Sequence, residues 1–156
     1  MTLGRVPSAD LVADSNILLG IVLGARGRTT WRRVQARRRL LISVEAVTEV
    51  MTVASRMLDR QPNALKRATE LIELLDVPPA HRYETMLDAA ASILRDAPPS
   101  RNGSAADAHI LALAWTYDAD IWSHDRDFAG TGWPSWSSAN LAASLSEEAA
   151  ASATQY

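Results

Sequence analysis

The chain has 156 residues, no cysteine, 16 basic and 18 acidic side chains, and 47% hydrophobic residues. That length fits one domain with a core that needs no staples, and the missing thiols exclude a disulfide scaffold and any thiolate metal site. The formal net charge of −2 hides a division: residues 1–68 hold 12 basic and 5 acidic side chains, whereas residues 69–156 hold 4 and 13.

Residues 1–9 read as a short leader. Leu11-Val12-Ala13 is a brief apolar run that predicts a buried strand ending at Asp14. Asn16 to Leu23 is apolar and helical in length, and Gly24 and Gly27 punctuate it. It is also the longest apolar stretch, far short of the roughly 20 residues of a membrane span, so a cytoplasmic protein without membrane contact is expected. Seven arginines fall between Arg26 and Arg39. Thr29 or Thr30 caps a second helix through Arg39, and the arginines are either a solvated face or a phosphate-contacting surface.

Leu40-Leu41-Ile42 predicts a second strand. Ser43 then opens a helix with Ala46, Val47, Val50, Met51, Ala54 and Leu58 on a 3.6-residue period, and Glu45 and Glu49 lie on it one turn apart. Pro62 to Leu75 is a further amphipathic helix. The faces of Ser43–Asp59 and Pro62–Leu75 either form core or offer an apolar interface. Asp76-Val77-Pro78 is an extended link, Ala80 to Leu94 is helical, and Ala97 to Gly103 is a loop. Ser104 caps a helix to about Tyr117, with Asp107 in its first turn, where negative charge suits the helix dipole. Ile121-Trp122 and the stretch around Trp136 are short strands, a helix runs from Ser138 to Leu145, and residues 146–156 read as a flexible tail.

Strands alternating with helices predict an α/β domain with a parallel sheet. Ligands of such sheets bind outside the carboxyl ends of the strands. Asp14 and Asp125 follow apolar runs there, and Asp107 opens a helix that is apolar almost all round. Glu49 is a fourth acid, with Asp127 nearby. Each has an ordinary explanation. Asp14 would cap a helix, Asp107 would complement a dipole, Asp125 and Asp127 would belong to a turn, and Glu49 would be solvated. If the acids converge instead, like charges in one cleft call for a cation, and hard oxygen donors without thiolates select Mg²⁺ or Mn²⁺. Trp115, Trp133 and Trp136 are either packing residues or a base-stacking platform.

Four segments carry a family resemblance. Leu11-Val12-Ala13-Asp14-Ser15-Asn16-Ile17-Leu18-Leu19 resembles the opening of PIN-domain ribonucleases. Ser43 to Glu49 resembles their strand-to-helix segment. Ala106 to Ala114 resembles their third acidic motif, and Ile121-Trp122-Ser123-His124-Asp125-Arg126-Asp127-Phe128 the fourth. The resemblance implies a three-layer α/β/α sandwich around a mostly parallel sheet of 4–5 strands, spanning residues 10–145. It implies a metal-dependent endoribonuclease, the VapC-type toxin of a toxin–antitoxin pair or a stand-alone relative. Asp14, Glu49, Asp107 and Asp125 match the acidic quartet, with Asp14, Asp107 and Asp125 as ligands of Mg²⁺ or Mn²⁺. Asn16, Ser123 and Asp127 would hold those ligands in place. Arg26, Arg28, Arg32, Arg33 and Arg126 would contact RNA phosphates, and a small antitoxin and a second copy of the chain would be protein partners. The alternative is a catalytically silent PIN-like domain that binds RNA or protein.

Overall fold

A computed structural model describes residues 4–24, 27–96 and 105–155 of the chain, together with the main chain but not the side chains of Ala105, Arg126 and Asp127. Among the described residues four strands form one sheet: β1 (Asp10–Ala13), β2 (Arg39–Leu41), β3 (Asp120–Trp122) and β4 (Ser135–Trp136). Their pairings are parallel, in the order β2-β1-β3-β4. Seven helices among the described residues flank it: α1 (Ser15–Leu23), α2 (Arg28–Arg37), α3 (Val44–Arg56), α4 (Ala64–Ile72), α5 (Leu87–Asp96), α6 (Ala108–Tyr117) and α7 (Ser138–Ala153). This is the expected α/β architecture with a wholly parallel sheet.

The central strand shows why the run reads as it does. Leu11, Val12 and Ala13 are all buried completely, because a parallel strand in mid-sheet is covered on both faces and cannot alternate with polar residues. The same reasoning explains α6. Ile110 to Ala114 are fully buried, as an all-round apolar helix must be, and α6 packs on β1, β3 and α5. Helices α1, α3 and α4 form a second group, and α2 lies along α7. The apolar faces of α3 and α4 are core: Ala46, Val50, Ala54, Ala64, Ala68 and Leu71 are buried.

Several boundaries differ from the sequence reading. The arginine helix ends at Arg37, because Arg39 begins β2 and pairs with Asp10 across it. It starts after Gly27 rather than at a threonine cap. Gly27 has φ +87°, a left-handed conformation that favours glycine. Residues 80–86 form two 3₁₀ turns and not a helix, since Tyr83 is drawn fully inward, its hydroxyl accepting from Val44 N at 3.1 Å and donating to Glu45. Helix α7 continues to Ala153, so residues 146–153 are helical where a flexible tail is expected. Glu148 ties that segment to Arg38 at 2.9 Å and Arg37 at 3.8 Å. The predicted loop at 97–103, the Ser104 cap and Arg26 lie outside the described residues. Among the described residues no helix is long and apolar enough to cross a membrane.

Candidate metal centre at the carboxyl edge of the sheet

The strand order reverses direction at β1: the chain goes to β2 on one side and later to β3 and β4 on the other. In open parallel sheets this switch point leaves a crevice beyond the strand ends. Asp14 follows β1 directly, and Ser123 and Asp125 follow β3. Asp14 N donates to the Trp122 carbonyl at 3.0 Å and Ser123 N to the Trp136 carbonyl at 3.0 Å, so both strand ends are locked side by side.

Two serines connect the acids. The Ser123 hydroxyl donates to Asp14 Oδ2 at 2.7 Å and accepts from Asp125 N at 2.9 Å. It therefore uses both donor and acceptor, which neither alanine nor cysteine would reproduce as well. The Ser15 hydroxyl lies 2.8 Å from Glu49 Oε2 and 3.3 Å from Asp14 Oδ1. Its single hydrogen is shared between the two carboxylates, with the shorter contact to Glu49. Thus Glu49, exposed on α3, is not merely a solvated face.

Asp14 is only 4% exposed. Burial pushes its carboxyl above the ordinary carboxylate range. Hydrogen bonds from Ser123 and Ser15 and the Asn16 main-chain N–H pull it back, and the negative charge of Asp125 pushes it up further. Asp14 occupies the N-cap position of α1, and its carboxyl draws on the Asn16 N–H and on the serine hydroxyls together, so it does more than cap the helix. Asp107 stands at the N-cap position of α6, after a 3₁₀ turn, and makes no side-chain cap.

His109, two residues past Asp107, brings the start of α6 to the same edge. Its Nδ1 lies 2.7 Å from Ser43 Oγ, which also accepts from Ala46 N as the cap of α3. Burial holds the imidazole below its ordinary range, opposed by the charges of Glu45, Asp14 and Glu49. Sequence reasoning missed Ser15, Ser43, Glu45 and His109 as neighbours of the acids. For Ser15 the adjacency to Asp14 was the available signal.

The expected convergence of the quartet is only partial. Serines join Asp14 to Glu49 and to Asp125, but among the described residues no three acidic or imidazole side chains are grouped closely enough to hold a metal ion. Carboxylates of like sign repel, and the Ser15 hydroxyl stands between those of Asp14 and Glu49. The donor set nonetheless suits a hard divalent cation. All the acids offer oxygen, and no basic side chain among the described residues pairs with Asp14 or Glu49. Asn16 presents its main chain to Asp14, while its side-chain amide bonds none of the acids and lines an adjoining cavity. The side chains of Asp127 and Arg126 lie outside the described set.

The arginines are dispersed. Arg39 and Arg38 are paired with Asp10 and Glu148, away from the carboxyl edge. Arg28 and Arg32 border a cleft with Trp31, Arg67 and Leu74, and Arg32 and Arg33 border another along α7. The tryptophans are structural: Trp122 stacks on Trp31 at 6.0 Å, Trp133 donates to the Ala119 carbonyl at 2.8 Å, and Trp136 donates to Asp120 at 2.7 Å.

Comparison with known proteins fits this geometry. No curated protein matches the chain. Among solved structures, it is similar to VapBC2 from Rickettsia felis bound to a DNA fragment from their promoter, with TM-score 0.62 and 11% identity over 82% of this chain and 98% of that one. It is similar to VapBC-1 from nontypeable Haemophilus influenzae, with TM-score 0.61 and 18% identity over 83% and 98%. It is also similar to PAE2754 from Pyrobaculum aerophilum, with TM-score 0.62 and 14% identity over 89% and 96%. At these identities the likeness is one of fold. The PIN domain family matches residues 12–146, a span that begins inside β1, ends inside α7 and includes every acid of the carboxyl edge. By that match over most of its length, the chain belongs to the PIN domain family.

Proposed function

We propose that this chain is a metal-dependent endoribonuclease, the toxin of a toxin–antitoxin pair. The observation that carries the reading is the Glu49–Ser15–Asp14–Ser123–Asp125 chain of contacts, which assembles acids from three elements beside the switch point. A buried carboxyl beside a second acid, with no basic partner, is unfavourable in isolation and gains from a divalent cation. Asp14, Asp107 and Asp125 would hold Mg²⁺ or Mn²⁺, with Glu49 as a further oxygen donor. Such an ion, when bound, lowers the pKa of water and offsets charge on a phosphodiester.

The chain's own residues do the positioning. Ser123 fixes the rotamer of Asp14 and the main chain at Asp125 together. Ser15 holds Glu49 by a hydrogen bond, and Glu49 would bind the metal or orient the attacking water. The arginines of α2 serve the RNA backbone at a distance from the acids, as phosphate contacts that set register.

A small antitoxin is the proposed protein partner, supported by the VapBC neighbours. The cleft formed by Ile21, Val22, Trp31, Leu71 and Leu74, rimmed by Arg28, Arg32 and Arg67, suits an apolar segment carrying acids. A cytoplasmic homodimer completes the proposal. The test is cleavage of an RNA panel by the purified protein with Mg²⁺, Mn²⁺ or chelator, beside Asp14→Ala. Cleavage that needs the metal and disappears in the variant is expected. Cleavage that survives in Asp14→Ala, or none under any condition, would leave the silent RNA- or protein-binding domain as the reading.

A further inference from the structure

A cavity of about 520 Å³ opens beside the acids, bounded by α1, the start of α2, the end of β3 and the start of α7. That is within the roughly 300–1,000 Å³ of small-molecule sites. It touches the carboxyl edge at two places: Asn16 is two residues past Asp14, and His124 is the residue before Asp125. Its lining is mostly apolar, from α1 and α7, with Asn16, Thr30, His124 and Ser138 as its polar members, and the Trp122 ring is itself buried.

Three features give it chemical character. First, Gly20 lies in the middle of α1, where glycine weakens a helix relative to alanine, and a side chain there would meet nothing within 4 Å. The missing side chain is not required by packing; it keeps the cavity open. Second, the Asn16 amide and the Thr30 hydroxyl line the cavity without a hydrogen-bond partner among the described residues. Third, Trp122 Nε1 donates to Ser138 Oγ at 3.0 Å, and His124 Nε2 lies 3.2 Å from the same oxygen. Indole can only donate, so the Ser138 oxygen accepts from Trp122, and the same oxygen holds the His124 ring beside the cavity.

The geometry points to a nucleobase subsite: the cavity receives one unpaired base of the RNA strand that crosses the carboxylates. This inference rests on the nuclease reading above and names the part of its substrate that is recognised. Single-stranded RNA is read by splaying a base out, seating its ring on apolar surface and hydrogen-bonding its edge. Gly20 of α1 and Ala139 and Ala142 of α7 supply the surface. The Asn16 amide offers a donor and an acceptor together, as base edges require, and Thr30 and His124 add further polar contacts. The adjoining phosphate then lies against Asp14 and Asp125.

The test is NMR titration of the full chain with single-stranded RNA hexamers of A, U or C and with an abasic ribose-phosphate hexamer. Ca²⁺ is supplied to neutralise the carboxylates. At least one base-bearing hexamer is expected to bind about tenfold or more tightly than the abasic one, shifting the Gly20 amide and the Trp122 indole N–H. Gly20→Leu, which fills the cavity, is expected to abolish that advantage while melting no lower than wild type, and Gly20→Ala to reduce it in part. Equal binding of base-bearing and abasic hexamers, or an advantage retained in Gly20→Leu, overturns the inference. Cleavage by wild type and Asp14→Ala is scored separately. A base advantage without metal-dependent cleavage rejects the nuclease reading alone, and cleavage without a base advantage rejects the subsite alone.

Discussion

The two ends of the sheet carry the same residue type in opposite circumstances. At the amino end, Asp10 accepts from Arg39 Nε at 3.1 Å and Nη2 at 2.8 Å. Asp120, nearly buried, accepts from Trp136 Nε1 at 2.7 Å and from Ser8 N at 3.2 Å, with Arg5 at 3.6 Å. Each acid there has a basic neighbour or a full set of donors. At the carboxyl end, Asp14 is more deeply buried and has only hydroxyl and main-chain donors, with Asp125 and Glu49 as its neighbours. An aspartate at a strand end is therefore uninformative by itself. What distinguishes Asp14 and Glu49 is that, among the described residues, no basic side chain pairs with them.

Breaking the carboxyl end should abolish activity without harming the fold. Asp14→Asn keeps the shape and an acceptor for Ser123, and RNA cleavage is expected to fall by about 10²-fold or more, measured as kcat/KM in Mg²⁺. In chelator the same variant should melt higher than wild type, because it removes a charge that burial disfavours. The sign with pH follows from the raised folded-state pKa. The protonated carboxyl is favoured in the fold, so its relative stability is fully present below the ordinary value of 3.8 and is lost as pH rises through the folded value. The melting gap between Asp14→Asn and wild type should thus close on acidification, and a gap that widens as pH falls would contradict the assigned cause.

Ser123→Ala removes the one hydroxyl that orients both Asp14 and Asp125. Loss of such a supporting partner is expected to lower metal affinity or activity about 10–100-fold, read by Mg²⁺ titration of cleavage. The amino end should respond in the opposite sense. Trp136→Phe deprives Asp120 of its indole donor and is expected to destabilise by about 1–2 kcal/mol in denaturant unfolding, with kcat/KM retained. Arg39→Ala breaks a half-exposed pair and should cost no more than about 1 kcal/mol, diminishing with salt. Equal losses of activity from both ends would erase the distinction between them.

Much of this was legible in the sequence for a physical reason: buried parallel strands and all-round apolar helices leave continuous runs. Leu11-Val12-Ala13, Ile121-Trp122 and Ile110 to Ala114 declared themselves in that way, and Ser43 as a cap was readable from its position before a periodic run. What escaped depends on partners distant in the chain. The turns around Tyr83 follow from a hydroxyl bonded at Val44 and Glu45. The extension of α7 follows from Glu148 meeting Arg38, while its Ala/Ser/Glu composition is also that of a fraying end. The acids were found as residue types, but their connections through Ser15 and Ser123 were not, since a hydroxyl's bond to a carboxylate leaves no spacing to read. The arginine run misled most. It is one helix in sequence, yet its members divide between ion pairs with Asp10 and Glu148 and separate clefts.

The strand order has a consequence for how the protein is made. β1 leaves the ribosome well before its hydrogen-bonded neighbour β3, which lies more than a hundred residues later; Ser123 and Asp14 are 109 positions apart. During synthesis the chain emerges from its amino end, so Asp14 and Glu49 are exposed long before the segment that supplies Ser123 and Asp125. Under the nuclease reading, a nascent chain that stops short of Ser123 carries half a site and is inert, and activity switches on only once the segment bearing Ser123 and Asp125 has emerged and paired with β1.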